Sequence, residues 1–196
     1  MKILGRPLEF DPDTAIGVAT EVFWRNGFEA TSMNNLTETM QISKSSLYQS
    51  FGNKKLLFET CLEGYSTMLI TQIERELEEA TSGMAFFENL LESIGSTANH
   101  QEGTKGCLIV NTVNELGQSD AEISILVNQK LDAISTLFIR AIERAKFEGE
   151  ISSDSNPRVI AAYLHVAISG LRTMIKAGED SASISKVILM ILKAIR

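Results

Sequence analysis

Apolar residues recur along this chain at spacings of three and four, and strict alternation is nearly absent, so the pattern predicts helices throughout. The first stripe is Ala15, Val18, Ala19, Val22 and Phe23. Asp11-Pro12-Asp13 introduces it with an N-cap, a proline at the first helical position and an acid in the first turn, and Gly27 ends it. A short helix from about Ser32 to Met40 places Leu36 and Met40 on one face, and a second runs from Lys44 to Ser50 behind a Ser43 cap. Asn53 caps a long helix to about Glu79, with Phe58, Leu62, Tyr65 and Leu69 at helical spacing. Further helices are predicted over Gly83 to Asn99, Cys107 to Leu116, 120–148, Pro157 to Ala177 and Ile184 to Ile195. Polar, glycine-containing loops separate them at His100–Gly106 and Glu150–Asn156. The expectation is an all-α chain of about nine helices without repeats, divided into residues 1–54 and 55–196.

Charge changes the picture locally. The net charge is −7, yet residues 1–55 carry six basic and six acidic side chains. The deficit belongs to residues 56–196, with twelve basic and nineteen acidic ones. Lys44, Lys54 and Lys55 fall within residues 41–55, which contain no acid, so a positive spot sits in an acidic protein. Hydrophobic residues make up 44% of the chain, enough for a substantial core. No apolar run approaches the roughly 20 residues of a membrane span, and MKILGRPLEF has no long apolar stretch of a secretory signal, which predicts a cytoplasmic protein. Two cysteines, Cys61 and Cys107, are too few for a disulfide scaffold.

The segment from Thr31 to Phe51 places two short helices around a turn of about three residues, with Leu36, Met40, Ile42, Leu47 and Phe51 available to lock them together. Lys44, Ser45, Ser46, Tyr48, Gln49 and Ser50 would then face outward, offering donors to phosphates and amides or hydroxyls to base edges. Spacing alone fits a helix-turn-helix and two ordinary surface helices equally. Residues 6–57, however, resemble the DNA-binding domain of the tetracycline-repressor (TetR) family of transcription regulators. The matching blocks are Gly5-Arg6-Pro7, Phe23 through Ser32, Ile42 through Tyr48, and Phe51 through Phe58.

The resemblance implies roles position by position. Lys44 and Ser45 would approach bases or phosphates, while Thr31, Ser32, Ser46, Tyr48 and Lys54 would hold phosphates. Gln49 would meet a base or a phosphate, and Arg6 would belong to an arm reaching the minor groove. Ser45 stands where the family often has glycine, which leaves its role open. For Tyr48 and Lys54 the plain alternatives are packing and a solvated helix start.

The resemblance also implies that the remainder binds a small-molecule inducer and forms a homodimer. The apolar stripes Ile160, Leu164, Ala167 and Leu171, then Ile184, Ile188, Ile191 and Ile195, are the expected dimer interface, although one stripe could face the monomer core. Leu189 and Met190 give the last helix a second apolar face. Tyr65, Met68, Phe86, Phe87, Cys107, Asn111, Asn114 and Tyr163 are candidates for an apolar pocket with a few polar groups, or for plain core. Lys105-Gly106-Cys107-Leu108 resembles the Gly-Cys-Leu signature of a TetR subgroup, some of whose members sense oxidants or electrophiles. A thiol at a helix start beside Lys105 should ionise more readily, and the alternative is a small packed residue.

An enzyme would need a cofactor motif or catalytic group, and the chain has no phosphate loop, nucleophile elbow or zinc spacing, so neither cofactor nor metal is expected. A helical module for protein partners is the other alternative. The expectation is therefore a ligand-responsive transcriptional regulator, a repressor released from double-stranded operator DNA by a small molecule or reactive electrophile.

Overall fold

The computed structural model describes residues 10–98, 100 and 103–196. Helix α1 (Pro12–Asn26) starts where Asp11 accepts the Thr14 amide and ends at Gly27, whose φ of 83° suits a residue without a side chain. In α2 (Met33–Met40) the cap is reciprocal: Ser32 Oγ accepts the Asn35 amide and Asn35 Oδ1 accepts the Ser32 amide. Helix α3 (Lys44–Phe51) follows a Ser43 cap. Between them Gln41 adopts a left-handed conformation at φ 56°, and the Ile42 amide donates to the Thr37 carbonyl to close the turn. Asn53 caps α4 (Lys54–Glu79) by accepting the Leu56 amide at 3.0 Å.

Beyond it come α5 (Gly83–Ser96), a 3-10 turn at Gly103–Lys105, α6 (Leu108–Leu116), α7 (Ala121–Phe147), α8 (Pro157–Lys176) and α9 (Ser181–Ile195). The described residues thus form nine α-helices and no strand. Helix α9 begins before the expected Ile184 because Asp180 accepts the Ala182 and Ser183 amides. The 3-10 turn occupies part of the expected loop.

The chain divides into two compact units between Tyr65 and Ser66, inside α4 rather than at its start. The early turns of α4 go with the first unit because they supply its core. Phe58 meets Phe23 edge-on with centroids 5.0 Å apart and Phe28 at 5.0 Å, and Trp24 packs on Tyr65 at 4.8 Å. Cys61 is fully buried there, its thiol donating to the Ile16 carbonyl at 3.7 Å, and burial pushes its pKa up to about 11. Leu36, Met40 and Leu47 hold α2 and α3 to this core.

In the second unit Phe86, Phe87 and Phe138 form an aromatic centre. Helices α5 and α7 pack together where Gly83 faces the backbone at Ala141 and Ala145. The end of α7 also closes the α4–α5 turn. Glu148 accepts the Gly83 amide at 2.7 Å, and Glu150 accepts the Met84 amide and the Ser82 hydroxyl. The Gly83 amide is the main cause holding the Glu148 carboxyl below its ordinary pKa. Arg144 donates to the Leu77 and Thr81 carbonyls. By length and composition α8 could cross a bilayer, but it packs on α7 and α9 and carries Arg158, His165, Arg172 and Lys176.

A Cβ at Gly83 would lie 2.4 Å from the Ala145 nitrogen and 2.5 Å from the Ala141 oxygen, backbone atoms that cannot rotate aside. Gly83→Ala should therefore destabilise the protein by about 1–3 kcal/mol in urea unfolding. Gly17→Ala, in α1 with open space around the new methyl, should stabilise it by about 0.5–1 kcal/mol. Equal effects of the two substitutions would contradict the close α5–α7 approach.

Candidate nucleic-acid interface and ligand cavity

Burial of Leu47 orients α3, so Lys44, Ser45, Tyr48 and Gln49 lie on its exposed side, with Tyr48 44% exposed and Ser46 half-buried. Lys44, Tyr48 and Gln49 make no side-chain hydrogen bond or ion pair with any described residue. Ser43 Oγ lies 2.9 Å from Ser45 Oγ and 2.8 Å from Ser46 Oγ, making a hydroxyl cluster at the start of the helix. Ser43 itself was not among the expected contacts, although its cap position pointed to it. One helix edge thus presents a cation, a phenol, an amide and hydroxyls, groups that suit phosphate oxygens and base edges.

Two expected phosphate contacts are placed otherwise. Thr31 is 1% exposed and its hydroxyl donates to the Gly27 carbonyl at 2.6 Å, so it is turned away from solvent. Lys54 Nζ donates to the carbonyls of Phe28 at 3.0 Å and Thr31 at 3.1 Å, and sits 4.2 Å from the Phe28 ring centroid. Its ammonium therefore fastens the 28–31 turn. Ser32 stays exposed while its hydroxyl serves the α2 cap. Arg6 lies outside the described residues.

The second unit forms a partly open cavity of about 60 Å³ bounded by α4 to α8. Its walls are mostly apolar, including Leu69, Ile73, Leu90, Ile134 and Phe138, with Cys107 at the start of α6. Its polar wall is a strip on α8: His165, Ser169 and Arg172. His165 Nε2 lies 2.8 Å from Ser135 Oγ, and burial depresses the imidazole's pKa while the nearby Asp132 charge opposes that.

Of the eight expected pocket residues, Cys107 alone lines this cavity. Tyr65 packs on Trp24 in the first unit, and Met68 is 59% exposed. Phe86 and Phe87 are fully buried in the aromatic centre, packed on each other and on Phe138. Asn111 Nδ2 donates to the Lys105 carbonyl at 2.8 Å and so ties down the loop before α6. Asn114 borders a separate polar groove with Glu115, Gln118 and Asn128, and Tyr163 lies exposed on α8. The sequence reading missed His165, Ser169 and Arg172, whose spacing of four and three was the available signal.

The expected dimer stripes also face inward. Leu164, Leu171, Ile184, Ile188, Ile191 and Ile195 are buried within the monomer, and Ile160 and Ala167 are half-buried. The cause is packing of α9 on α5: a Cβ on Gly95 would meet Ile188 Cδ1 at 2.7 Å and Ile184 Cγ2 at 3.5 Å. Val159, Tyr163 and Val166 on α8, and Leu189 and Met190 on α9, are exposed, as are Ile125 and Phe147 on α7. Among the described residues no three potential metal ligands come together.

Comparison with known proteins agrees with this architecture. Residues 15–61 match the family model of bacterial regulatory proteins of the tetR family, and residues 83–191 match that of the tetracyclin repressor-like C-terminal domain. The chain is 26% identical to the HTH-type transcriptional regulator YezE of Bacillus subtilis, over 90% of this chain and 92% of that protein. It is likewise 26% identical to the HTH-type transcriptional repressor ComR of Escherichia coli, over 95% of this chain and 88% of that one. Among solved structures, a cysteine mutant of the TetR family regulator CifR, complexed with 26-bp double-strand operator DNA, superimposes with a TM-score of 0.86 at 27% identity. That match covers 98% of this chain and 100% of the other. The chain belongs to the tetR family of bacterial regulatory proteins.

Lys54→Met keeps a stem of similar length over Phe28 but removes the ammonium. It should lower the stability of the DNA-free protein by about 1–2 kcal/mol in urea unfolding, the scale of charge-assisted hydrogen bonds discounted for partial exposure. Unchanged stability together with weakened DNA binding would restore Lys54 to the phosphate contacts.

Proposed function

We propose that this tetR-family chain is a cytoplasmic repressor that grips double-stranded operator DNA as a homodimer through α3, and is released when a small molecule or reactive electrophile enters the α4–α8 cavity. The carrying observation is the edge of α3, where Lys44, Tyr48 and Gln49 have no side-chain partner among the described residues. Such a strip on a short helix, backed by the buried Leu47, suits the major groove. Lys44 would neutralise a phosphate, Tyr48 and Ser46 would donate to phosphate oxygens, and Ser45 and Gln49 would approach base edges. Ser32 would meet the backbone from the start of α2, where amides face outward, and Arg6 would reach the minor groove. Repression is supported by the description of ComR as a repressor, and operator binding by the CifR complex.

Two recognition helices must reach half-sites about 34–36 Å apart, so DNA binding requires a dimer. The exposed Val159, Tyr163 and Val166 recur at spacings of four and three on α8, and Leu189 and Met190 lie exposed on the adjoining α9. Two copies of this helix pair would bury those residues in a four-helix bundle across a two-fold axis. A ligand would act by population shift. Leu69 and Ile73 of the cavity wall belong to the same continuous helix, α4, whose first turn carries Lys54. A ligand favouring another position of α4 favours another half-site spacing. Cys107, on the cavity wall, is the residue an electrophile would meet there.

DNA from upstream of the chain's own gene is the test substrate, in anisotropy titrations at several salt concentrations. Lys44→Ala should weaken binding to all sequences and reduce the salt slope by about one. Tyr48→Phe should weaken binding while leaving the slope unchanged, because a phenol releases no counterion. Absence of any shift at low salt would favour a module for protein partners instead. Val166→Asp should give a folded monomer in sedimentation, with operator affinity lost. A dimer that survives this change would place the interface elsewhere.

A further inference from the structure

Among the described residues that line the α4–α8 cavity, Arg172 is the one fixed charge. Arg172 is half-buried on its wall and makes no ion pair or hydrogen bond with any described residue. Among the described residues no aspartate or glutamate lines the cavity. Burial depresses the pKa of His165, further along the same wall, against the opposing charge of Asp132. Apart from the Cys107 thiol, the other lining side chains, Leu69, Ile73 and Ile134 among them, are hydrocarbon. A guanidinium shielded partly from water and left without an anion is electrostatically incomplete, and its planar fork matches a carboxylate in two parallel hydrogen bonds. Ser169, one turn before Arg172 on the same strip, adds a hydroxyl donor beside it. At about 60 Å³ the cavity is well under the roughly 150 Å³ that takes up benzene, so it admits only the short end of a ligand, the rest lying at its open side.

We propose that the effector bound in this cavity is a short aliphatic carboxylate, its head group paired with Arg172 and Ser169 and its chain against the apolar wall. This assignment rests on the reading of the cavity as the ligand site.

The full-length protein should be titrated calorimetrically at pH 7 with butyrate, 1-butanol and butylammonium. Butyrate is expected to bind about 30-fold more tightly than either analogue of the same chain length, the factor for one charge-assisted pair. Arg172→Met should remove that advantage and leave 1-butanol unaffected, while Arg172→Lys, which keeps the charge without the fork, should fall between. Ile168→Trp, which fills the cavity, should abolish binding of all three. Equal binding of butyrate and 1-butanol, both lost in Ile168→Trp, would overturn the carboxylate assignment and leave the cavity as a ligand site. No binding of any of the three, or binding that survives Ile168→Trp, would overturn both. Loss of the dimer in Arg172→Met with butyrate binding unchanged would assign the guanidinium to a second copy of the chain and overturn the proposal.

Discussion

Lys54 reaches back from the first turn of α4 to the carbonyls of Phe28 and Thr31, with its stem and ammonium over the Phe28 ring. The segment between α1 and α2 has no regular structure to satisfy its own backbone. Three of its carbonyls are held instead by nearby donors: the Thr31 hydroxyl donates to Gly27, the Thr31 amide to Phe28, and Lys54 to both Phe28 and Thr31. This fixes where Ser32 sits, and Ser32 caps α2. Helix α2 in turn supports α3 through Leu36, Met40 and Leu47. The exposed edge of α3 is thus held by a cation that does not itself lie on that edge.

The same separation between support and contact runs through the second unit. Its core needs one face from each helix, and α5, α7 and α9 meet closely because Gly83 and Gly95 present no side chain where Ala145 and Ile188 approach. The end of α7 then supplies Glu148, Glu150 and Arg144 to groups that α4 and α5 leave open at their ends. With the core complete, what remains is surplus: an apolar face on α8 and α9 that no element covers, and a small volume between α4 and α8. Function is read from these surpluses, since a satisfied core states only how the chain folds.

The helices were legible because the chain announces their ends. Asp11-Pro12, Ser32, Ser43, Asn53 and Asn156-Pro157 all stand at helix starts, and each satisfies amides there. The edge of α3 was legible for a related reason: one buried leucine in an eight-residue helix fixes which way the others face. Residue type misled where a polar group found its partner inside the chain. Thr31 and Lys54 have the chemistry of phosphate contacts, and only the fold reveals that Gly27, Phe28 and Thr31 carbonyls occupy them. Phe86 and Phe87 likewise have the chemistry of a pocket wall, but both are fully buried against each other and Phe138.

Helix α8 shows why a periodic stripe underdetermines function. At about 100° per residue its side chains fall into three adjoining sectors rather than a buried and an exposed half. Leu164, Leu171 and Ile175 enter the core; His165, Ser169 and Arg172 line the cavity; Val159, Tyr163 and Val166 face outward. A sequence read in two classes, apolar inside and polar outside, assigns the first set to an interface and passes over the second. Both surplus features of the unit therefore share one helix. Any displacement of Arg172 by an occupant of the cavity must move, or be resisted by, the backbone that also sets the outward positions of Tyr163 and Val166. Were the cavity to take a ligand and the outward face a second copy, as proposed, one helix would carry both events, and their coupling would equal the difference each makes between the positions of that helix.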